Sequence, residues 1–291
     1  MKNFKYIFML PVAACLCLFS SCSNEDYLGG HATTEGAGTL MNVTAQISAQ
    51  LNPGMTWSPN DVIGIATGYG LYDATARNRE YVCQADGMTF SQASGYPIYV
   101  KGTTDIVAYY PFVGSDGAEP TITLDTRDQS QITDFLFAKA EGVTPQNGGK
   151  VNLVFDYALA RLNIAITAPA GEQITSCRLT GFAQQATVDP YSLDLTLEAP
   201  EDLVISGNGT LQNVVLRLIP QTIDLESGVA ANLVLVGNIR SYSIDMSELQ
   251  LAHGADIQAN VDVTDGVGSV EFVPVDATWN NSGIGGNVSS N

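Results

Sequence analysis

Positive charge is scarce in this chain. Of 291 residues, 12 are Lys or Arg against 30 Asp or Glu, a formal net charge of −18. Only ten cations follow residue 22, too few for the basic face that phosphate contacts require, so nucleic acid is not an expected partner. Histidine is nearly missing, with His31 and His253 alone, which argues against imidazole metal sites and histidine general bases. Charged residues of both signs reach 14%, against roughly 25% in an average globular domain. Ser, Thr, Asn, Gln and Gly take their place, a composition typical of polar β proteins outside the cytoplasm. No G-x-S-x-G, H-E-x-x-H, P-loop or C-x-x-C string occurs, so no enzyme activity, cofactor or metal site is expected. The 260–265 stretch has the wrong order for a calcium loop.

One long apolar run exists, from Tyr6 through Phe19 behind Lys2 and Lys5. It is too short to span a membrane in a mature protein and is broken by Pro11. It ends in Leu18-Phe19-Ser20-Ser21-Cys22, small residues directly before a cysteine. That ending resembles a bacterial lipobox, which implies cleavage after residue 21 and acylation of Cys22, palmitate included. Ser23-Asn24-Glu25-Asp26 looks like the export signal of surface lipoproteins in Bacteroides. Residues 22–38 are Gly-, Thr- and acid-rich without periodicity and read as a flexible tether.

Beyond the tether the hydrophobic period is two, the signature of strands rather than helices. Val43, Ala45 and Ile47 alternate with Thr44, Gln46 and Ser48. Strand-like runs follow at 62–67, 80–84, 97–101, 105–112, 120–124, 135–139, 151–155 and 162–167. After Ala168-Pro169-Ala170-Gly171 a second series begins, at 174–179, 193–197, 203–206, 211–219, 232–236, 241–246, 257–263 and 269–275. Turn clusters such as Asn52-Pro53-Gly54 separate them. Only 158–161 and 247–251 hint at helical turns. Many short strands at this spacing predict an all-β chain of two sandwiches, over residues 39–169 and 170–291. Cys83 and Cys177 each lie in an apolar strand; separate buried thiols and a single disulfide are both open.

Three segments carry more information together than apart. They are Trp57-Ser58-Pro59-Asn60-Asp61-Val62-Ile63-Gly64-Ile65, the aromatic run Asp105-Ile106-Val107-Ala108-Tyr109-Tyr110-Pro111-Phe112, and Gln131-Ile132-Thr133-Asp134-Phe135-Leu136-Phe137-Ala138-Lys139. The last leads, after a loop, into Phe155-Asp156-Tyr157-Ala158-Leu159-Ala160-Arg161. Their order and spacing behind a lipobox resemble the Bacteroides-type fimbrillin family, subunits of type V pili. Asn60 stands where that family usually has Gly, and Tyr157 where it usually has His. The clear resemblance covers 57–167; the C-terminal half shares only its β pattern and Trp279.

The resemblance implies two tandem transthyretin-like β-sandwich domains and a structural, non-catalytic role at the cell surface. It also implies assembly by strand addition, in which a protease removes the first strand and a neighbour's C-terminal strand fills the groove. The first-strand candidates here are Leu40, Val43, Ala45 and Ile47 within 40–50, and the donor candidates are Val270, Phe272 and Val275. Expected partners are other pilin subunits, the outer membrane through the lipid on Cys22, and a receptor on a host or bacterial surface. One departure stands out: no Lys or Arg occurs between Lys5 and Arg77, so a trypsin-like cut cannot fall just after the first strand. Either the protease has another specificity or the strand and its lipid are retained, as befits an anchor. Trp57, Tyr109, Tyr110, Phe135 and Phe155 read as core and Asp61 as a turn cap. The rival from another class is a non-polymerising surface lipoprotein that binds glycans on those tyrosines.

Overall fold

The structure is a computed structural model and describes residues 38–48, 56–67, 77–93, 97–207, 209–223 and 230–275. The lipobox, Cys22, the tether and Trp279 lie outside the described residues. The first half supplies β1 (Thr39–Leu40), β2 (Asn42–Ile47), β3 (Val62–Thr67), β4 (Arg79–Cys83), β5 (Thr89–Gln92), β6 (Tyr99–Val100), β7 (Thr104–Tyr110), β8 (Ile122–Asp125), β9 (Leu136–Val143) and β10 (Lys150–Tyr157). Seven of them close into a barrel in the order β10-β2-β5-β4-β3-β7-β9, which leaves β8 and the paired β1 and β6 outside it. Closure removes the free sheet edges that an open sheet would expose.

The second half supplies β11 (Ala160–Thr167), β12 (Ile174–Thr180), β13 (Gln185–Val188), β14 (Leu195–Leu197), β15 (Leu203–Ser206), β16 (Asn213–Leu218), β17 (Asn232–Gly237), β18 (Ser241–Asp245), β19 (Asp256–Asp262) and β20 (Ser269–Pro274). Two four-stranded sheets, β16-β11-β19-β20 and β15-β12-β17-β18, enclose one core that holds Leu162, Ile164, Leu216, Leu179, Leu233 and Leu235. Alternation explains the arrangement: β16 and β18 bury every second residue, so each sheet has one apolar face to cover.

The chain is thus all-β. Among the described residues the one helical segment is a single 3-10 turn, Pro145–Asn147. Neither 158–161 nor 247–251 forms a helix; the first opens β11, whose apolar residues follow a strand period once the sheet is built. Strand β11 pairs with β16 and β19 rather than with any barrel strand.

A third sheet, β14-β13-β8, ties the halves together. Strand β8 comes from the first half, yet it pairs with β13 from Val188↔Ile122 to Gln185↔Asp125. Beneath it lies a small core that includes Tyr109, Ile122, Leu124, Ala186, Val188 and Ile219. Through Tyr109 this joint covers the outer face of β7, which is buried on both faces.

Cys83 and Cys177 are free and buried, one in the barrel core and one in the sandwich core. Burial raises both thiols above their usual range, Cys177 to about 12, and leaves them protonated and inert at neutral pH. A chain starting at Ser23 is therefore expected to show no reactive thiol towards Ellman's reagent at pH 8 and two in guanidinium. Finding fewer than two after denaturation would contradict separate thiols.

Candidate functional site

The first barrel strand, β2, holds three of the first-strand candidates. Strand β2 buries Val43, Ala45 and Ile47 and exposes Asn42, Thr44 and Gln46. The sequence Asn-Val-Thr-Ala-Gln-Ile makes this inevitable, since successive side chains of a strand point to opposite faces. All three buried residues belong to the barrel core, together with Trp57, Phe90, Leu153 and Phe155.

On one side β2 runs parallel to β10, in unbroken register from Asn42↔Lys150 to Ile47↔Phe155. Two backbone bonds bracket the ladder: the Asn42 N–H donates to the Gly149 carbonyl at 2.8 Å, and the Ser48 N–H to the Phe155 carbonyl at 2.9 Å. The Asn42 amide reaches the Gly148 carbonyl at 3.3 Å and the Thr44 hydroxyl the Val151 carbonyl at 3.3 Å. On the other side β2 meets β5 at only Val43↔Phe90 and Thr44↔Thr89, plus one bond from the Ala45 N–H to the Met88 carbonyl at 2.9 Å. Strand β2 is thus a stave inserted between β10 and β5. Its N-terminal entrance is tight, because Gly149 packs against the Leu40 carbonyl at φ +64°; no other residue type fits there.

Leu40 does not share the burial of Val43, Ala45 and Ile47. It lies in β1 opposite Tyr99, and the two are 46% and 49% exposed. The 49–50 end of the 40–50 segment lies outside the described residues. Beside β5, the carboxyl of Asp86 is held below the usual range by the Thr89 hydroxyl at 2.6 Å and by the backbone N–H groups of Thr89 and Met88. This fixes the hairpin against which β2 rests.

Strand β20 is an edge strand. It pairs with β19 alone, from Asp262↔Ser269 to Ile257↔Pro274. Val270 and Phe272 are half-buried against the sandwich core, whereas Val273 is 40% exposed. Val275 lies one residue past the strand, with its N–H bonded to the Asp256 carbonyl at 2.9 Å. Val43, Ala45 and Ile47 therefore sit in the barrel core and Val270 and Phe272 against the sandwich core, so the first-strand and donor candidates do not form one site.

The aromatic motifs are mostly core. Trp57 packs edge-to-face on Phe90, Tyr110 and Phe155, with centroids 5.0–5.4 Å apart. Tyr109 is fully buried and donates to the Asn78 side chain, and burial raises its hydroxyl to about 12. A side chain at Gly64 would collide with the Tyr109 ring. Tyr110 is half-buried and reaches Asp61 Oδ1 at 3.4 Å. These tyrosines accordingly form no exposed platform for a sugar. Asp61 closes its turn by accepting from the Ser58 N–H at 2.8 Å. Asn60 adopts φ +76°, a left-handed conformation that Gly and Asn tolerate best.

Sequence reading missed the polar joints, whose partners lie far apart along the chain. Gln129 brackets Arg217 of β16, accepting from its N–H at 2.8 Å and donating to its carbonyl at 3.0 Å. The Arg217 guanidinium pairs with Asp134 at 2.6 Å; burial raises that carboxyl while Arg217 opposes the shift. Arg79 pairs with Asp116 at 2.8 Å in a nearly buried site. Arg161 and Asp256 pair across the β11–β19 ladder. No local signal marks any of these.

The first basic residues after β2 are Arg77 and Arg79. Arg79 is buried, and Arg77 is exposed with Glu119 3.6 Å away. A cut at Arg77 would separate β2 and β3 from the rest, although β3 is held on both sides by β4 and β7 and fully buries Ile63 and Ile65. Such a cut removes the middle of the barrel rather than one stave.

A family model described as fimbrillin-like matches residues 49–280, so the match extends through the second half and begins just after β2. A protein from Bacteroides uniformis, described as a candidate cell adhesion protein, superposes with a TM-score of 0.55 at 22% identity over 84% of this chain and 98% of its own. A second such protein, from Bacteroides ovatus, gives 0.54 at 18% identity over 82% and 96%. These two share the fold. No curated protein sequence matches. The chain belongs to the fimbrillin-like family.

Proposed function

We propose that this chain is a non-catalytic structural subunit of a type V-like surface pilus, held at the outer membrane through a lipid on Cys22 and joined to neighbouring pilins by strand addition. The observation that carries the reading is β2 itself: a separable stave with a parallel partner on one side, two residue pairs on the other, and three side chains in the core. Family membership supports it. The division into two transthyretin-like domains belongs to the same reading and is supported by the separate barrel and sandwich cores.

Within the pilus, an anchor or accessory position suits the chain best. Its own stave occupies the acceptor slot, and every nearby basic residue lies where cutting would dismantle β3. The edge strand β20, with Val270 and Phe272 half-buried, is the segment available to a neighbour.

Cell fractionation tests this. The native chain is expected in the outer membrane and in sheared surface filaments that migrate as ladders resistant to sodium dodecyl sulfate. Cys22→Ser is expected to release it from the membrane without altering its thermal unfolding. A variant that stays with the membrane contradicts the lipid anchor, and a native chain absent from every filament contradicts the subunit role.

A further inference from the structure

The first barrel strand and the last strand of the described fold face opposite mechanical geometries. We infer that the β2–β10 ladder is a clamp against tension entering from the N-terminal side, whereas tension on the C-terminal side peels β20 away. The inference takes the source of that tension from the proposed surface attachment.

Strands β2 and β10 are parallel, so the chain enters β2 at the end where β10 begins. Strand β10 hands the chain on at its other end, Tyr157, and β11 begins at Ala160. A pull between residue 38 and Tyr157 therefore first meets the short β1–β6 pair and then runs along both strands. Every bond between Asn42 and Ser48 is loaded at once, and none can fail before the others share the strain. The evenly spaced bonds of a parallel pair suit this loading. The Asn42 and Thr44 side chains add bonds to the Gly148 and Val151 carbonyls in the same ladder.

The sandwich has the reverse arrangement. Strand β11 is parallel to β19 from Arg161↔Asp256 to Thr167↔Asp262, and β20 is antiparallel to β19. Chain entry at Ala160 and exit at Pro274 thus lie at one end of the sheet, two strand spacings or about 10 Å apart. A pull between them crosses the strands and opens Ile257↔Pro274 first, then one pair after another. Little resists it, because β20 has a single partner and no fully buried residue. Strain that leaves the first stave in place therefore frees the last strand for a neighbour.

Single-molecule pulling on the chain from Ser23 onward tests both halves, with handles clicked onto three pairs of positions. Handles at the exposed Leu40 and at Asp156 load the β2–β10 ladder along its length. Handles at Gln46 and Asp156, both exposed near the other end of the same ladder, peel it. The first pair is expected to rupture at roughly twice the force of the second or more. Handles at Asp156 and Pro274 are expected to give an early, low-force lengthening of about 40 Å as β20 leaves, from about 3.3–3.6 Å per extended residue. Equal forces for the first two pairs overturn the clamp, and a third pair that holds to the clamp's own force overturns the peeling strand. Both readouts concern the isolated chain, so their failure leaves the pilus reading standing, and a failed fractionation leaves these forces unchanged.

Discussion

Deleting residues 40–50 is expected to turn a monomer into a concentration-dependent oligomer, and a peptide spanning those residues is expected to reverse the change. The deletion takes away β2, whose burial of Val43 and Ile47 alone stabilises the barrel by about 3–6 kcal/mol at ordinary burial energies. That approaches the whole stability of a typical domain, about 5–15 kcal/mol. It also strips β10 of a ladder running from Lys150 to Phe155 and leaves two new edges in a barrel that otherwise has none. An open slot with pockets for alternate side chains invites any strand of matching pattern, including one from a second copy. Light scattering after gel filtration at several concentrations reads the outcome. A deletion that remains monomeric, with unchanged thermal unfolding, would show that β2 is not a stave the fold depends on.

Arg161→Met is expected to cost about 3–5 kcal/mol, the usual penalty for stranding one member of a buried ion pair. Asp256 is the member left behind. Its side chain is only 5% exposed, and the guanidinium of Arg161 is its principal counter-charge. The Asn163 amide donates to it at 2.6 Å but carries no charge to replace the one removed. The double variant R161M/D256L removes both charges and is expected to recover most of the loss, because matched apolar replacements of buried pairs are often neutral. Urea unfolding of the three variants, including Asp256→Leu alone, checks the pattern. Additive losses in the double variant would mean that the pair matters for packing rather than for charge.

These two variants also mark where the sequence was informative. The stave was legible, since Val43, Ala45 and Ile47 alternate with polar residues and nothing but a half-buried strand fits that period. The bounds of β3 and β15 could be read directly, because 62–67 and 203–206 are short apolar runs with turn formers on both sides. Strands β5 and β13 carry no such signal: Thr-Phe-Ser-Gln and Gln-Ala-Thr-Val hold too few apolar residues to show a period, and they are strands because their neighbours supply the partners. The β8–β13 pairing, the Arg217–Asp134 joint and the Arg161–Asp256 pair were invisible for the same reason. Each depends on register between segments distant in sequence, and no local pattern encodes that. The helical hint at 158–161 failed because four apolar or amphipathic residues suit either period, and the sheet decided.

The candidate site divides in the same way. Turn chemistry gave Asp61 and Asn60 their places, and the aromatic motifs gave the core. The exposure of Leu40 beside Tyr99, the tight passage at Gly149 and the opposite loading of β2 and β20 follow only from strand direction and register.

Whether the first strand stays with the chain is the central question, and the intact mass with the N-terminal peptide of the protein from native outer membranes answers it most directly. The expected result is a lipidated Cys22 followed by an unbroken chain through β2 and β3, as for a subunit that keeps its own stave and holds to the membrane. An N-terminus trimmed beyond residue 50 would contradict it and make this a polymerising pilin whose slot is filled by a neighbour.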